Sequence, residues 1–132
     1  LLANPRAMGA ACPSSPLLAR RIAALVGRPR HAYVLELGAG TGAITAGLVR
    51  RGLPMDRLVI LERSPGMVRL LRRRFPGALV VEGDAADIHA IVRDDLRLAP
   101  ADFSHIVSSL PLRSIPRPAS EQIATAIQDF LC

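Results

Sequence analysis

The chain has 132 residues and a mass of 14.1 kDa, which fits one domain rather than two. Half of its residues are hydrophobic, which excludes a disordered tail, and its longest apolar runs are too short for a transmembrane helix. The net charge of +6 favours anionic partners, whereas an aromatic content of 3% argues against a protein that stacks single-stranded bases.

Turn residues and apolar spacing divide the chain into alternating helices and strands. After a loop-like lead over residues 1–14, a first helix is predicted from Pro16 to about Val26, with Ser14 or Ser15 as its cap. Four apolar strands are predicted at residues 33–37, 58–61, 79–81 and 103–107, with further helices at 43–51, 64–75, 87–92 and 119–131. Strands that alternate with helices predict a parallel sheet covered by helices on both faces.

The glycine-rich segment after the first strand is the strongest functional signal. Residues 36–42 read Glu-Leu-Gly-Ala-Gly-Thr-Gly, and glycine suits a turn where a ligand approaches the backbone. Ligands of open parallel sheets bind beyond the carboxyl ends of the strands. The spacing is not that of dinucleotide enzymes, and a chain without lysine has no P-loop. The alternative interpretation is an ordinary strand-to-helix turn.

Two acidic residues follow the next two strands. Glu62 lies 24 residues after Gly38, where a carboxylate can accept hydrogen bonds from both hydroxyls of a ribose. The alternative is a solvated acid at a strand end. Asp84, in the segment Gly83-Asp84-Ala85, is placed to bind an adenine amino group, or else to cap the following helix.

These three sites in combination resemble the class I methyltransferases that use S-adenosylmethionine, and the resemblance covers nearly the whole chain. It implies a Rossmann-like fold in which the glycines line the methionine part of the cofactor. Glu36 would help to place the cofactor's amino group, Glu62 would hold its ribose, and Asp84 would face its adenine. The implied cofactor-binding residues are Glu36, Gly38, Ala39, Gly40, Thr41, Gly42, Glu62, Arg63, Asp84 and Ala85.

Two flanking segments resemble those of the bacterial phospholipid N-methyltransferases, which convert phosphatidylethanolamine stepwise toward phosphatidylcholine. One is the lead from Met8 to Ser15, and the other runs from Val107 to Leu112. That family carries Ser-Gly-Leu-Pro-Leu in the second segment, so Ser109 stands here in place of a glycine. We expect Ser108, Ser109 and Leu110 to be the catalytic residues and to form the pocket wall nearest the methyl group, with Pro13 and Ser14 as a lid.

The ribosomal RNA adenine dimethylases are the close rival, because they share the lead, the glycine loop and the acid. They carry Asn-Leu-Pro-Tyr or similar after the fourth strand, where the asparagine binds the adenine and the aromatic ring stacks on it. This chain offers Ser109 and Leu112 instead, and neither side chain reproduces those contacts. A third hypothesis is a fragment that binds the cofactor without catalysis.

The expected partner is a phospholipid headgroup or an anionic membrane surface. The first helix is amphipathic and carries Arg20 and Arg21, and the third carries Arg69 and residues 72–74 as a basic stretch. A merely solvated helix face is the alternative. We expect a reduced cytoplasmic setting, with the protein peripheral at the inner membrane face, and no metal, because the cysteines and histidines lack ligand spacing.

The ends of the sequence suggest a fragment. The chain begins with Leu1 and stops at Cys132, directly after the last predicted helix. The class I fold normally has seven strands and four are predicted here, so we expect one methyltransferase domain over residues 1–132 that lacks the later strands. An uncovered sheet edge would favour association into a homo-oligomer.

Overall fold

A computed structural model of the chain describes residues 16–132. The α-helices are α1 (Pro16–Val26), α2 (Ala43–Arg51), α3 (Pro65–Arg74), α4 (Ile88–Ala90) and α5 (Ala119–Leu131). The strands are β1 (Tyr33–Leu37), β2 (Leu58–Glu62), β3 (Leu79–Glu82) and β4 (Phe103–Ser108). Short 3-10 turns cover Met55–Arg57, Ala85–Asp87 and Pro100–Asp102, and a π-helical turn covers Ile91–Asp95.

The four strands form one parallel sheet in the order β3-β2-β1-β4. Leu37 at the end of β1 is in register with Leu61 on one side and Ser108 on the other, and Glu62 is in register with Glu82. The carboxyl ends of all four strands therefore meet at one edge of the sheet. The predicted strand positions and the parallel sheet are confirmed.

Helices cover both faces of the sheet, as the sequence predicts. The alternation of side chains along each strand sends Val34 and Ile60 to one face, and Leu35 and Leu61 to the other. The first face is covered by buried residues of α1, α2 and α3, among them Ala19, Ile22, Ile44, Leu48, Val68 and Leu71. The second is covered by α4 and α5 through Ile88, Ile123, Ile127 and Phe130.

Capping residues fix the start of α3 and the end of α2. Ser64 caps α3 by accepting a hydrogen bond from the amide of Met67 at 3.5 Å, and Pro65 opens the helix. Gly52 ends α2 with a positive φ of 111°, which glycine adopts without strain. No helix within residues 16–132 combines the length and the apolar character that a membrane crossing requires.

Two predictions about helices are wrong in detail. The helix predicted at residues 87–92 is a 3-10 turn, a single α-helical turn and then a π-helical turn that runs to Asp95. The third helix ends at Arg74 rather than including Phe75, because a residue that precedes proline is disfavoured in the helical region. The cap predicted at Ser14 or Ser15 lies outside the described residues.

Candidate functional site

The turn between β1 and α2 contains three glycines that all have positive φ, at 70° for Gly38, 58° for Gly40 and 95° for Gly42. A Cβ added to Gly38 would lie 2.6 Å from Cδ2 of Leu110, and one added to Gly42 would lie 2.7 Å from Cε2 of Phe75. Among the described residues, a Cβ on Gly40 would meet nothing within 4 Å. Two of the glycines therefore permit close packing, and the third leaves its backbone open to a ligand.

The remaining residues of this turn hold its shape. The amide of Gly42 donates to the carbonyl of the half-buried Ala39 at 2.9 Å. The exposed Thr41 accepts a 2.6 Å hydrogen bond at its carbonyl from Nη1 of Arg74. Arg74 belongs to the basic stretch of α3, for which the sequence analysis gave a solvated helix face as the alternative interpretation. This hydrogen bond shows that Arg74 also has a structural role. It links the end of α3 to the predicted cofactor loop.

Glu62, at the end of β2, joins that glycine turn to the start of α3. Its Oε1 accepts a 3.0 Å hydrogen bond from the amide of Gly40. Its Oε2 accepts from the amides of Arg63 at 2.6 Å and Ser64 at 3.2 Å. The carboxylate is thus fixed in place by three main-chain donors, and the predicted cofactor residues Gly40, Glu62 and Arg63 lie together.

Glu36 is fully buried in β1 beneath the turn. Its Oε1 accepts a 2.6 Å hydrogen bond from the hydroxyl of Thr45, which is also fully buried on α2. Its Oε2 has no hydrogen-bond partner in the described part of the chain. Burial raises the pKa of Glu36 from 4.5 to about 7; the Thr45 hydrogen bond opposes that rise and the charge of Glu62 adds to it. A cation placed beside Oε2 would stabilise the ionised form.

Asp84 follows β3, next to the end of β2, because the amide of Gly83 donates to the carbonyl of Glu62 at 3.0 Å. Oδ1 of Asp84 accepts a 2.9 Å hydrogen bond from the amide of Ala86, so the side chain caps the short turn that begins at the buried Ala85. The capping interpretation is therefore confirmed. The contact with adenine stays a prediction.

The segment after β4 lies against the glycine turn. The amide of Ser109 donates to the carbonyl of Leu37 at 3.0 Å, and the side chain of Leu110 packs on Gly38. Ser108 is buried, and its Oγ accepts a 3.3 Å hydrogen bond from the amide of Leu110. The hydroxyl oxygen of Ser109 is buried and has no partner within residues 16–132. Ser109 is thus left with unused hydrogen-bonding capacity at this edge.

Thr45 is the residue of this site that sequence reasoning missed. It follows the buried Ile44 and lies three residues before the buried Leu48. A threonine on the buried face of a helix signals a polar partner inside the fold, because a buried hydroxyl is costly without one. Predicting that the partner is Glu36 would have required the position of α2 over β1. The predicted lid residues Pro13 and Ser14 lie outside the described residues.

Residues 34–132 match the family model described as a methyltransferase domain. The chain belongs to this methyltransferase family. It is 37% identical over 128 residues to an ornithine lipid N-methyltransferase of Singulisphaera acidiphila, which covers 95% of this chain and 65% of that protein. It is 35% identical to a probable ribosomal RNA small subunit methyltransferase A of Natronomonas pharaonis, over 60% of this chain and 26% of that protein.

Solved methyltransferase structures share the fold. An amino pentose methyltransferase from Micromonospora echinaspora, solved with S-adenosylmethionine bound, superposes with a TM-score of 0.66 at 23% identity. The superposition covers 90% of this chain and 48% of that one. The class I fold is therefore confirmed, as is S-adenosylmethionine as the cofactor of the family. The chain spans 65% of the length of the ornithine lipid N-methyltransferase and 48% of that of the amino pentose methyltransferase.

The residues at the strand ends suit S-adenosylmethionine. The cofactor carries an ammonium group, two ribose hydroxyls and an adenine. The unpartnered Oε2 of Glu36 suits a positive charge, and the carboxylate of Glu62 suits hydroxyl donors. Gly40 leaves space for the close approach of a ligand to the turn. The contacts of individual residues with the cofactor remain predictions.

Proposed function

We propose that this chain is the cofactor-binding part of an S-adenosylmethionine-dependent N-methyltransferase whose acceptor is the amine of a lipid headgroup. Phosphatidylethanolamine, methylated toward phosphatidylcholine, is the specific substrate that we propose. A relative that covers 95% of the chain is named for N-methylation of a lipid, which supports an amine acceptor on a lipid.

The observation that carries this proposal is the absence of an available aromatic ring at the carboxyl edge of the described sheet. The chain has four aromatic residues. Tyr33 and Phe103 begin β1 and β4, at the opposite edge, where their rings contact each other. Phe75 packs against Gly42 of the glycine turn, but its ring and that of Phe130 are buried and therefore not available for stacking. Within the described residues, a nucleobase acceptor would therefore find no exposed phenylalanine or tyrosine ring at this edge to stack on, whereas an aliphatic amine requires none.

The described residues have separate tasks in such a transfer. The cofactor supplies an activated methyl group when bound. In this proposal the hydroxyl of Ser109, which has no partner within the described residues, would hydrogen-bond the acceptor amine, and Leu110 would shield the site from water. Ser108 holds the turn that positions Leu110. The amine has an ordinary pKa of about 10 and must lose a proton before it attacks, which desolvation in an apolar pocket favours.

Ribosomal RNA methylation is the second candidate. The similarity to the ribosomal RNA methyltransferase of Natronomonas pharaonis and the net charge of +6 favour it. That similarity covers 60% of this chain, against 95% for the lipid N-methyltransferase. A third candidate is a part that binds the cofactor but transfers nothing by itself.

The proposed setting is the surface of a membrane, with a second copy of the chain as a further possible partner. β4 hydrogen-bonds to β1 and lies at one end of the strand order within the described residues. Within the described residues its outer edge pairs with no strand, and we propose that a strand of a second copy pairs there. If analytical ultracentrifugation shows a monomer at every protein concentration, self-association is excluded.

Calorimetric titration with S-adenosylmethionine tests the cofactor site. We expect Glu62→Ala to abolish binding because it removes both the ribose acceptor and the bond that fixes Gly40. Glu82→Ala is the matched control, since Glu82 is exposed, stands in register with Glu62 and ends the neighbouring strand. Equal affinities for the two variants would contradict the predicted role of Glu62.

Transfer of a labelled methyl group tests the acceptor. Phosphatidylethanolamine in detergent micelles, an ornithine lipid and ribosomal RNA are offered in parallel. We expect label in the phosphatidylethanolamine, and Ser109→Ala should lower that rate more than Ser104→Ala, an exposed serine on β4. Label in RNA alone would favour the second candidate. Cofactor binding without label in any acceptor would favour the third.

A further inference from the structure

The helices on one face of the sheet carry arginines and no acid. Eight arginines lie on α1, α2 and α3, namely Arg20, Arg21, Arg50, Arg51, Arg69, Arg72, Arg73 and Arg74. The chain has 11 acidic residues and none lies on these three helices or in the first fifteen residues. On the opposite face, α5 carries Glu121 and Asp129 and has no basic residue. The charge of the domain is therefore polarised across the sheet.

A groove between α1 and α2 concentrates part of this positive charge. It has a volume of about 210 Å³ and is lined by Arg20, Ala23, Gly47, Arg50 and Arg51. Its floor is made of small residues, and a Cβ added to Gly47 would lie only 3.0 Å from the carbonyl oxygen of Ala19. The two helices thus approach closely, and no large side chain fills the space between the arginines.

The three arginines at this groove have no partner within the part of the chain that the structure describes. Arg20, Arg50 and Arg51 are exposed, and within residues 16–132 none of them forms a salt bridge or a hydrogen bond. By contrast, Arg72 and Arg74 donate to main-chain carbonyls. Guanidinium groups bind phosphate oxygens through paired, charge-assisted hydrogen bonds. The groove holds several times the roughly 30 Å³ of a water molecule, which leaves room for a phosphate group.

The outer face of α1 favours a lipid as the source of that phosphate. Leu17 is 50% exposed and Leu25 is 64% exposed, and both share this face with Arg20 and Arg21. Apolar side chains beside arginines match a bilayer surface, where the leucines enter the boundary of the acyl chains. An RNA backbone or a free phosphate ion offers nothing to these leucines.

We propose that the groove lined by Arg20, Arg50 and Arg51 binds the headgroup phosphate of an anionic phospholipid and so holds the α1–α2 face on the membrane. The choice of a lipid rests on the proposed function. The groove is separate from the methyl-transfer site, because it lies between the bodies of two helices rather than at the carboxyl ends of the strands. The anionic lipid is an anchor and not the methyl acceptor.

Sedimentation with vesicles of phosphatidylglycerol tests this proposal. We expect Arg50→Gln/Arg51→Gln to weaken binding about tenfold or more, because both charges lie near the anionic surface. Arg69→Gln/Arg73→Gln is the matched control, since it removes the same charge from α3 outside the groove. We expect it to weaken binding less than threefold. Circular dichroism confirms that both variants are folded.

Several outcomes would overturn the proposal. Equal losses for the two double variants would assign the binding to diffuse charge, and wild-type affinity in the groove variant would exclude the groove. Strong competition by inorganic phosphate, or loss of RNA binding with vesicle binding intact, would identify another ligand. Methyl transfer to phosphatidylethanolamine in neutral detergent micelles is measured separately, so a failed proposed function is distinguishable from a failed anchor.

Discussion

Replacing Thr45 with valine removes one hydroxyl from the interior while nearly preserving the shape of the side chain. In the fold, this hydroxyl donates to Oε1 of Glu36 at 2.6 Å, and both residues are fully buried. Hydrogen bonds to charged groups contribute about 1.5–3 kcal/mol, whereas those between neutral groups contribute about 1 kcal/mol. The effect of Thr45→Val on stability should therefore depend on whether Glu36 is ionised.

The direction of this dependence follows from the pKa of Glu36. Burial raises it from 4.5 to about 7, so between these pH values the unfolded chain is ionised while the folded chain retains its proton. The free energy of unfolding therefore falls as pH rises from about 4.5 to about 7. At about 1.4 kcal/mol for each pKa unit, the buried carboxyl costs roughly 3 kcal/mol above that interval.

We expect Thr45→Val to lower the free energy of unfolding by about 2 kcal/mol at pH 8.5 and by about 1 kcal/mol at pH 5. Urea denaturation followed by circular dichroism measures both values. Thr45→Ser is the matched control, because it keeps the hydroxyl and loses only a methyl group, so its effect should not change with pH. Glu36→Gln should remove the slope of stability between these pH values.

Two results would contradict the coupling between Thr45 and the charge of Glu36. If Thr45→Val destabilises the chain equally at both pH values, the hydroxyl does not act on the charge of Glu36. If Glu36→Gln leaves the slope unchanged, another group causes the pH dependence. In the Glu36→Gln background, Thr45→Val should cost the same at pH 5 and at pH 8.5, because no charge remains to be stabilised.

The remaining predictions concern the glycine turn and the segment after β4. Gly38→Ala should lower the free energy of unfolding by about 2 kcal/mol or more, measured by urea denaturation, since its Cβ would lie 2.6 Å from Leu110 at a φ of 70°. The Cβ added by Gly40→Ala would meet no neighbour among the described residues, so the substitution should lower the free energy of unfolding by only about 1 kcal/mol through backbone strain. Calorimetry should nevertheless show that the affinity for the cofactor falls more than tenfold. Ser108→Ala should destabilise the chain by about 1 kcal/mol, because the amide of Leu110 loses its acceptor. Ser109→Ala should leave thermal stability unchanged or slightly raised, since it removes a buried hydroxyl that has no partner within residues 16–132. Methyl transfer by this variant should fall. A larger loss of stability for Ser109→Ala than for Ser108→Ala would contradict the roles assigned to the two serines.

The strands were predictable because each combines an apolar run with a strong boundary. Tyr33–Leu37 is followed directly by the glycine turn, and Leu58–Glu62 is followed by the capping residue Ser64. In a parallel sheet both faces are buried, so the runs are continuous and their ends are sharp in the sequence. Glu62 and Asp84 could be identified as candidate site residues for the same reason, because the strand ends next to them are clear in the sequence.

The partners of the site residues could not be predicted, because they depend on how helices lie over the sheet. Glu36 and Thr45 are nine positions apart, and their contact requires α2 to fold back across β1. Asp84 caps its own turn, which is a local effect, and the sequence did offer that alternative. The π-helical turn has no comparable signal in the sequence, although Ile91 and Val92 at its start pack into the core.

The strand ends converge because the hydrogen bonding of the sheet continues past them. Three residues that each follow a strand donate an amide to the end of the neighbouring strand at 3.0 Å, namely Gly38 to Leu61, Gly83 to Glu62 and Ser109 to Leu37. The glycine turn, the acidic ends and the serine segment are thereby fixed relative to one another before any ligand binds. Such preorganisation reduces the ordering cost of binding. It also explains why residues more than forty positions apart in the sequence can form one site without contact between their side chains.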